Sequence, residues 1–97
     1  MKKILMFAGV LLAVPFATAV QAQEPSFPQK GPIEVTVLFP AGTSADVTAR
    51  LLADGMSKQL GGAKVIVFNR PGAGGAIGYK HVVSQKPDGY SIVWNSN

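Results

Sequence analysis

Cysteine is absent from this 97-residue sequence, and charged residues are few. Without cysteine the chain has neither a lipoprotein attachment site nor a disulfide framework. The nine lysines and arginines outnumber the five acidic residues, but they are scattered, and no basic block with interleaved aromatic residues occurs. This distribution argues against nucleic acid as a partner. Glycine, in contrast, is abundant, with eleven residues.

The N-terminus has the three-part pattern of a secretory signal peptide. Lys2 and Lys3 precede an uncharged apolar stretch over residues 4–19 and small residues suited to cleavage. We expect cleavage after Ala22, which defines a signal peptide over residues 1–22, although cleavage three residues earlier also fits. A membrane anchor is the alternative, because the apolar stretch is close to the lower length limit for a span. Cleavage would leave an exported chain of net charge +2.

The mature chain is long enough for one small domain of marginal stability, since so short a chain buries only about 60% of its surface. The pattern predicts, in order, a flexible lead-in (23–32), a strand (33–39), a helix ending near residue 60, a strand (64–68), a helix (75–84) and a strand (90–94). This β-α-β-α-β order with short connections predicts an α/β fold with a parallel sheet and right-handed crossovers.

The first predicted helix is amphipathic. Thr43 or Ser44 can cap its N-terminus, and Asp46 lies in its first turn, where a negative charge is favoured. The apolar residues recur at three- and four-residue steps and should face the sheet: Ala45, Ala49, Leu52, Ala53, Met56 and Leu60. The residues expected on the opposite face are Arg50, Asp54, Ser57 and Lys58.

A glycine loop, residues 69–78, follows the second predicted strand and contains Gly72, Gly74, Gly75 and Gly78. Without a Cβ, its backbone N–H groups can approach a ligand closely, and at a helix N-terminus they favour an anion. Ligands of parallel sheets collect beyond the carboxyl ends of the strands, where the first loop, residues 39–46, also lies. The sequence therefore predicts an anion-binding crevice between the two loops.

Several residues of this region have simpler interpretations. Ser44 is either a ligand hydroxyl or only a helix cap, and Asp46 is either a helix-terminus charge or an acceptor for a ligand ammonium, hydroxyl or bridging water. The glycines could serve only turn geometry and tight helix–sheet contact. Arg70 either pairs with an anion or braces its loop. His81 has no partner at a suggestive spacing, so we interpret it as an ordinary histidine.

Two nucleotide-binding motifs are not matched by the sequence. Gly72-x-Gly74-x-x-x-Gly78 is one residue too long for a dinucleotide fingerprint, and the acidic residue expected at the end of the next strand is missing, because Asp88 precedes that strand. The Gly-Lys-Ser/Thr of a phosphate loop does not occur. We therefore expect no cofactor and no metal.

Three segments match a known family in order and spacing. They are Phe39-Pro40-Ala41-Gly42 with Asp46-Val47-Thr48-Ala49-Arg50-Leu51-Leu52, then Val67-Phe68-Asn69-Arg70-Pro71-Gly72-Ala73-Gly74-Gly75-Ala76-Ile77-Gly78, then Pro87-Asp88-Gly89-Tyr90. Together they resemble the extracytoplasmic solute receptors of the tripartite tricarboxylate transporters, the Bug or TctC-like family. The resemblance covers the whole mature chain. It implies that residues 33–97 form the β-α-β-α-β half of domain 1 of a type II periplasmic-binding-protein fold, with the second lobe absent.

The resemblance implies a non-enzymatic periplasmic receptor, here expected to be a monomer, that closes on a small carboxylate and delivers it to transporter membrane subunits. Family receptors hold one carboxylate with both loops, which assigns ligand binding to Ala41, Gly42, Thr43, Ser44, Asp46, Gly72, Ala73, Gly74, Gly75, Ala76 and Ile77. One departure is Thr43, where the family commonly has a second glycine. A hydroxyl there would change the ligand preference.

Two other functions stay open. An exported enzyme could use the glycine loop as an oxyanion or phosphate cradle, but it would need a nucleophile–base pair. A small interaction module would leave two converging loops without a ligand. We also expect the isolated fragment to fold poorly and to be unable to trap a ligand.

Overall fold

The structure, a computed structural model, describes residues 25–96 and, outside them, only Gly9. Apart from Gly9, the predicted signal peptide and its cleavage site lie outside the described residues. Within residues 25–96, no helix is long and apolar enough to cross a membrane. The elements are β1 (Ile33–Val37), α1 (Ser44–Gln59), β2 (Val65–Asn69), a 3₁₀ turn (Ala73–Gly75), α2 (Ala76–Val83) and β3 (Ser91–Trp94). The predicted β-α-β-α-β order is confirmed.

The three strands form one parallel sheet in the order β2-β1-β3. Val35 of β1 pairs with Val67 of β2 on one side and with Ile92 of β3 on the other. Because β1 is the central strand, its Ile33, Val35 and Val37 are at most 1% exposed. This β-branched strand therefore forms the centre of the core, and the loop that follows it emerges between the ends of β2 and β3.

The two helices cover opposite faces of the sheet. Since β2 and β3 lie on opposite sides of β1, two right-handed crossovers must run over opposite faces. On one face, Val37 packs with Ala45 and Ala49 of α1. On the other face, Gly78 of α2 lies against Leu38. Both helices consequently start at the same edge of the sheet, where the strands end.

The buried stripe of α1 differs in part from the predicted one. Ala45, Ala49 and Ala53 are buried as predicted, but Asp46 is buried beside them. Leu52, predicted to face the sheet, is 37% exposed. Residues four apart share a helix face, so three alanines in register bring α1 close to the sheet and leave the larger Leu52 at the margin. The prediction for Leu52 was wrong for this reason.

Helix and strand boundaries lie within two residues of the predictions. Thr43 is the N-cap of α1, because its Oγ1 accepts a hydrogen bond from the amide of Asp46 at 3.3 Å. The helix ends at Gln59, just before Gly61 and Gly62, whose φ angles of 65° and 85° suit glycine.

Part of the predicted flexible lead-in contacts the start of β3. The Phe27 ring packs edge-on against Tyr90, with 4.9 Å between the ring centroids. The Tyr90 hydroxyl accepts a hydrogen bond from the backbone N–H of Lys30 at 3.0 Å. Tyr90 immediately precedes β3, so this contact lies at the opposite end of the sheet from the two loops.

Candidate ligand-binding crevice

The carboxyl ends of the three strands surround a crevice of about 410 Å³. Its lining comes from the residues that follow β1, the glycine loop, α2 and the residue that follows β3. The nine lining residues are Leu38, Phe39, Pro40, Pro71, Gly72, Gly74, Gly75, Tyr79 and Asn95. None of them carries a charge, so an anion in the crevice would be held by dipoles and hydrogen-bond donors rather than by an opposite charge.

Two larger depressions lie elsewhere on the surface. One of about 520 Å³ runs between α1 and β2 past Arg50 and Lys64, and one of about 620 Å³ lies on the outer side of α1 against Leu51 and Leu52. Neither is formed by the loops at the carboxyl ends of the strands. We assign the candidate site to the crevice rather than to either depression, because parallel sheets bind ligands beyond the carboxyl ends of their strands.

Four consecutive residues of the glycine loop have positive φ: Gly72 (121°), Ala73 (50°), Gly74 (65°) and Gly75 (94°). Three of the four are glycine, which adopts such angles without steric cost. The amide of Gly75 donates to the carbonyl of Gly72 at 3.0 Å and closes the turn. Among residues 25–96, the amides of Ala73 and Gly74 have no acceptor. These open donors precede α2, whose dipole adds positive potential.

Gly78 has a different role from the glycines of the turn. A Cβ at this position would collide with the Leu38 side chain and lie 3.0 Å from the Arg70 carbonyl oxygen. A Cβ on Gly74 would meet nothing within 4 Å. The simpler interpretation, tight helix–sheet contact, therefore holds for Gly78. At Gly74 only the backbone angle calls for glycine.

The first loop is held by the buried carboxylate of Asp46, which is 4% exposed. Its Oδ2 accepts from the backbone N–H of Gly42 at 2.9 Å. Its Oδ1 accepts from Asn69 Nδ2 at 2.9 Å and from Arg50 Nε at 3.1 Å. The Gly42 amide, the Asn69 amide and the Arg50 guanidinium, in this order, lower the pKa of Asp46 from 3.8 to about 2 against the opposing effect of burial. The carboxylate is therefore ionised at neutral pH.

Asn69 joins the two loops. Its Nδ2 donates to the carbonyl of Phe39 at 3.0 Å as well as to Asp46, and its Oδ1 accepts from Arg50 Nη2 at 3.1 Å. From the last position of β2, this one side chain therefore bonds both the first loop and α1. Neither Asn69 nor Arg50 was predicted to belong to the site. The sequence feature that could have identified Asn69 is its position as a polar residue at the end of an apolar strand, directly before the glycine-rich segment.

The eleven predicted ligand-binding residues fall into three groups. Gly72, Gly74 and Gly75 line the crevice. Three others brace the first loop: Gly42 and Asp46 bond each other, and Thr43 Oγ1 donates to the Pro40 carbonyl at 2.8 Å. The remaining residues flank the crevice without lining it: Ala41, Ser44, Ala73, Ala76 and Ile77. Ligand contact stays a prediction for all eleven.

Arg70 and His81 lie outside the crevice lining. Arg70 Nη1 donates to Thr36 Oγ1 at 2.6 Å, and its guanidinium lies 4.7 Å from the centroid of the Phe68 ring. These contacts support the bracing interpretation of Arg70. His81 Nε2 lies 3.9 Å from Glu34 Oε2, close to the start of β1. The histidine is therefore nearer to the amino ends of the strands than to the loops.

Sequence comparisons identify a family of transporter receptors. The profile of a family described as "Tripartite tricarboxylate transporter family receptor" matches residues 48–97. A UPF0065 protein of Bordetella bronchiseptica is 47% identical over 93 residues, which cover 96% of this chain and 26% of that protein. Protein BugT of Bordetella pertussis is 36% identical over 97 residues, which cover 100% of this chain and 29% of that protein. The chain thus spans about a quarter of the length of these relatives.

Solved structures share the fold. A structure described as that of a periplasmic transporter superposes with a TM-score of 0.64 at 41% identity, covering 70% of this chain and 22% of that one. The periplasmic binding protein BugD superposes with a TM-score of 0.61 at 45% identity, covering 66% of this chain and 21% of that one. The fold is thus that of a part of a periplasmic-binding-protein domain. By profile, sequence and structure, the chain belongs to the tripartite tricarboxylate transporter receptor family.

Proposed function

We propose that this chain supplies one side of the ligand site of a periplasmic receptor that captures a small carboxylate for a tripartite tricarboxylate-type transporter. The proposal is carried by the open amides of Ala73 and Gly74 at the start of α2, next to an uncharged crevice. Backbone N–H groups at a helix N-terminus form a ready anion site. A carboxylate is the small organic anion that fits the transporter family.

The charged residues next to the crevice do not oppose an anionic ligand. Asp46 is ionised and would repel an anion if its charge were free. Its Oδ1 lies 3.1 Å from Arg50 Nε, so the pair has no net charge, and its two oxygens are already occupied by protein donors. We therefore propose that Asp46 serves the site by fixing the shape of the first loop, and that any contact with a ligand is indirect.

The first loop offers a second set of donors. Among the described residues, the amides of Ser44 and Ala45 have no backbone acceptor, and the Ser44 hydroxyl is exposed at the start of α1. We propose that these groups complete the recognition of the carboxylate from the other side. The receptor then works by binding and closure, followed by delivery to the membrane subunits, with no covalent step. Export would follow from the predicted signal peptide, cleaved after Ala22.

The test is to produce the chain with its own leader, purify it from the periplasm and titrate the ¹⁵N-labelled protein with citrate, succinate and benzoate. Because this chain supplies only one side of the site, we expect weak shifts at the amides of Ala73 and Gly74 that grow with carboxylate concentration. Succinamide and benzamide, which have similar shapes but no charge, should not produce them. Mass spectrometry of the same sample checks cleavage after Ala22. A folded chain whose loop amides respond to no carboxylate would contradict the proposal.

A further inference from the structure

Tyr79 and Asn95 form a polar pair on the wall of the crevice. Tyr79 belongs to α2, and Asn95 is the first residue after β3. Asn95 Nδ2 donates a hydrogen bond to the Tyr79 hydroxyl oxygen at 3.0 Å. The pair therefore links the helix that follows the glycine loop to the end of the third strand. Neither residue is among the eleven that the family resemblance assigns to the ligand.

The position of the Tyr79 ring is fixed on its other side by Gly75. A Cβ on Gly75 would lie 3.5 Å from Tyr79 Cε2, so the ring packs directly against the backbone of the turn. With Asn95 at the hydroxyl and Gly75 at the ring, the phenol is held next to Gly75, the residue that follows the open amides of Ala73 and Gly74. Its side chain is nevertheless accessible, because Tyr79 is 41% exposed.

The direction of the hydrogen bond leaves the phenol with a proton to donate. A tyrosine hydroxyl can both accept and donate. Here the oxygen accepts from Asn95, and among residues 25–96 no acceptor for the O–H is present. Among the described lining residues, the crevice therefore contains this side-chain O–H donor in addition to the second N–H of Asn95 and the backbone donors of the loop. A ligand anchored by a carboxylate on those amides would place its neighbouring atoms near this O–H.

We propose that Tyr79, positioned by Asn95, selects carboxylates that carry a second oxygen acceptor, such as oxo acids, hydroxy acids or dicarboxylates, over simple alkanoates. This inference depends on the proposed carboxylate site and adds its specificity. A donor placed to bond a substrate oxygen disfavours an analogue that lacks the oxygen, because the donor is then covered without a partner.

The probes are 4-oxopentanoate and pentanoate, which have the same charge and similar length but differ in one carbonyl acceptor. Affinities are measured on the full chain exported through its own leader, from the shifts of the Ala73 and Gly74 amides. One hydrogen bond of ordinary strength predicts about a 2- to 10-fold preference for 4-oxopentanoate. Tyr79→Phe removes only the O–H and should bring the ratio to about 1, because 4-oxopentanoate loses its hydrogen bond and pentanoate no longer covers an unpaired donor.

Tyr90→Phe is the matched control, because it makes the same chemical change at the far end of the sheet, where the hydroxyl bonds Lys30. It should leave the preference intact. Asn95→Ala keeps the O–H but frees the ring, so it should reduce the preference and provides a second variant if Tyr79→Phe does not fold.

The outcomes separate this inference from the proposed function. If both probes shift the loop amides but the preference survives Tyr79→Phe, the role of Tyr79 is overturned while the carboxylate site stands. If Tyr90→Phe abolishes the preference equally, the role of Tyr79 is also overturned. If neither probe shifts the loop amides, both proposals are overturned for this chain. Loss of the preference in Tyr79→Phe alone supports the inference.

Discussion

The first loop and the glycine loop flank the same crevice, but their conformations are fixed by different means. In the first loop, side-chain hydrogen bonds fix the conformation. The Asp46 carboxylate accepts from the Gly42 amide, and the Asn69 side chain donates to the Phe39 carbonyl. In the glycine loop, the backbone itself adopts positive φ over four residues from Gly72 onward. Loss of side-chain atoms or of charge should therefore loosen the first loop, whereas added side-chain atoms should disturb the glycine loop.

The largest effect is expected where the glycine loop enters α2. Gly78→Ala inserts a methyl group against Leu38 and the Arg70 carbonyl, and such overpacking costs about 1–3 kcal/mol of unfolding free energy. The measurement is a urea titration followed by far-UV circular dichroism, with trimethylamine N-oxide at a fixed concentration to support a domain of marginal stability. Gly55→Ala in α1 is the control, because a Cβ added at this position would meet nothing within 4 Å. It should stabilise the chain by about 0.5–1 kcal/mol. Equal effects of the two changes would refute the packing role of Gly78.

The second-largest loss of stability is expected at Asn69, which links the two loops. Asn69→Ala leaves the Phe39 carbonyl without its side-chain donor and removes one donor from the Asp46 carboxylate, so we expect a loss of about 1–2 kcal/mol in the same titration. Gln59→Ala, at an exposed position at the end of α1, serves as the control and should change stability by less than about 0.5 kcal/mol. In the ¹⁵N spectrum, Asn69→Ala should shift the Gly42 amide more than the Gly74 amide. A uniform shift of both loops would show that they are not braced separately.

Acid should act on the first loop through Asp46. Its pKa is lower in the folded chain, about 2, than its ordinary 3.8, so its contribution to stability is complete above about pH 4 and is lost as the pH falls toward 2. The free energy of unfolding, measured by urea titration between pH 6 and pH 2, should therefore decline over that window. Asp46→Asn should flatten this decline. Asp54→Asn is matched to it, because Asp54 forms an exposed i,i+4 pair with Lys58, and it should leave the decline in place. An unchanged decline in Asp46→Asn would refute the role of its carboxylate.

The smallest effect is expected within the glycine turn itself. Gly74→Ala forces a residue with a Cβ to keep a φ of 65° in open space, at a cost of about 1 kcal/mol that lower entropy of the unfolded chain partly offsets. Gly31→Ala, with open space and no positive φ, should instead be neutral or slightly stabilising. If Gly74→Ala were as neutral as Gly31→Ala, the positive φ would not be what requires glycine at this turn.

Local sequence patterns were sufficient to predict the strands and helices, but they did not predict the contacts between residues that are distant in sequence. Alternating apolar segments and glycine stops predicted every strand and helix to within two residues. The burial of Asp46 was missed because it depends on Asn69, 23 positions later, and the first turn of a helix ordinarily favours an exposed acid. Gly74 and Gly78 are identical residues of one sequence motif, so the sequence alone does not distinguish their roles. Only the contact of Gly78 with Leu38 separates a packing glycine from a turn glycine.

The open amides at Ala73 and Gly74 have an evolutionary consequence. Any substitution except proline changes a side chain and leaves the backbone N–H in place. Variants that keep the shape of the turn therefore inherit these donors, while Tyr79, Asn95 and the apolar wall can be exchanged one at a time. Under the proposed function, affinity for a carboxylate and choice among carboxylates reside in separate atoms. Selection can then diversify the ligands of such receptors without rebuilding the part that holds the charge.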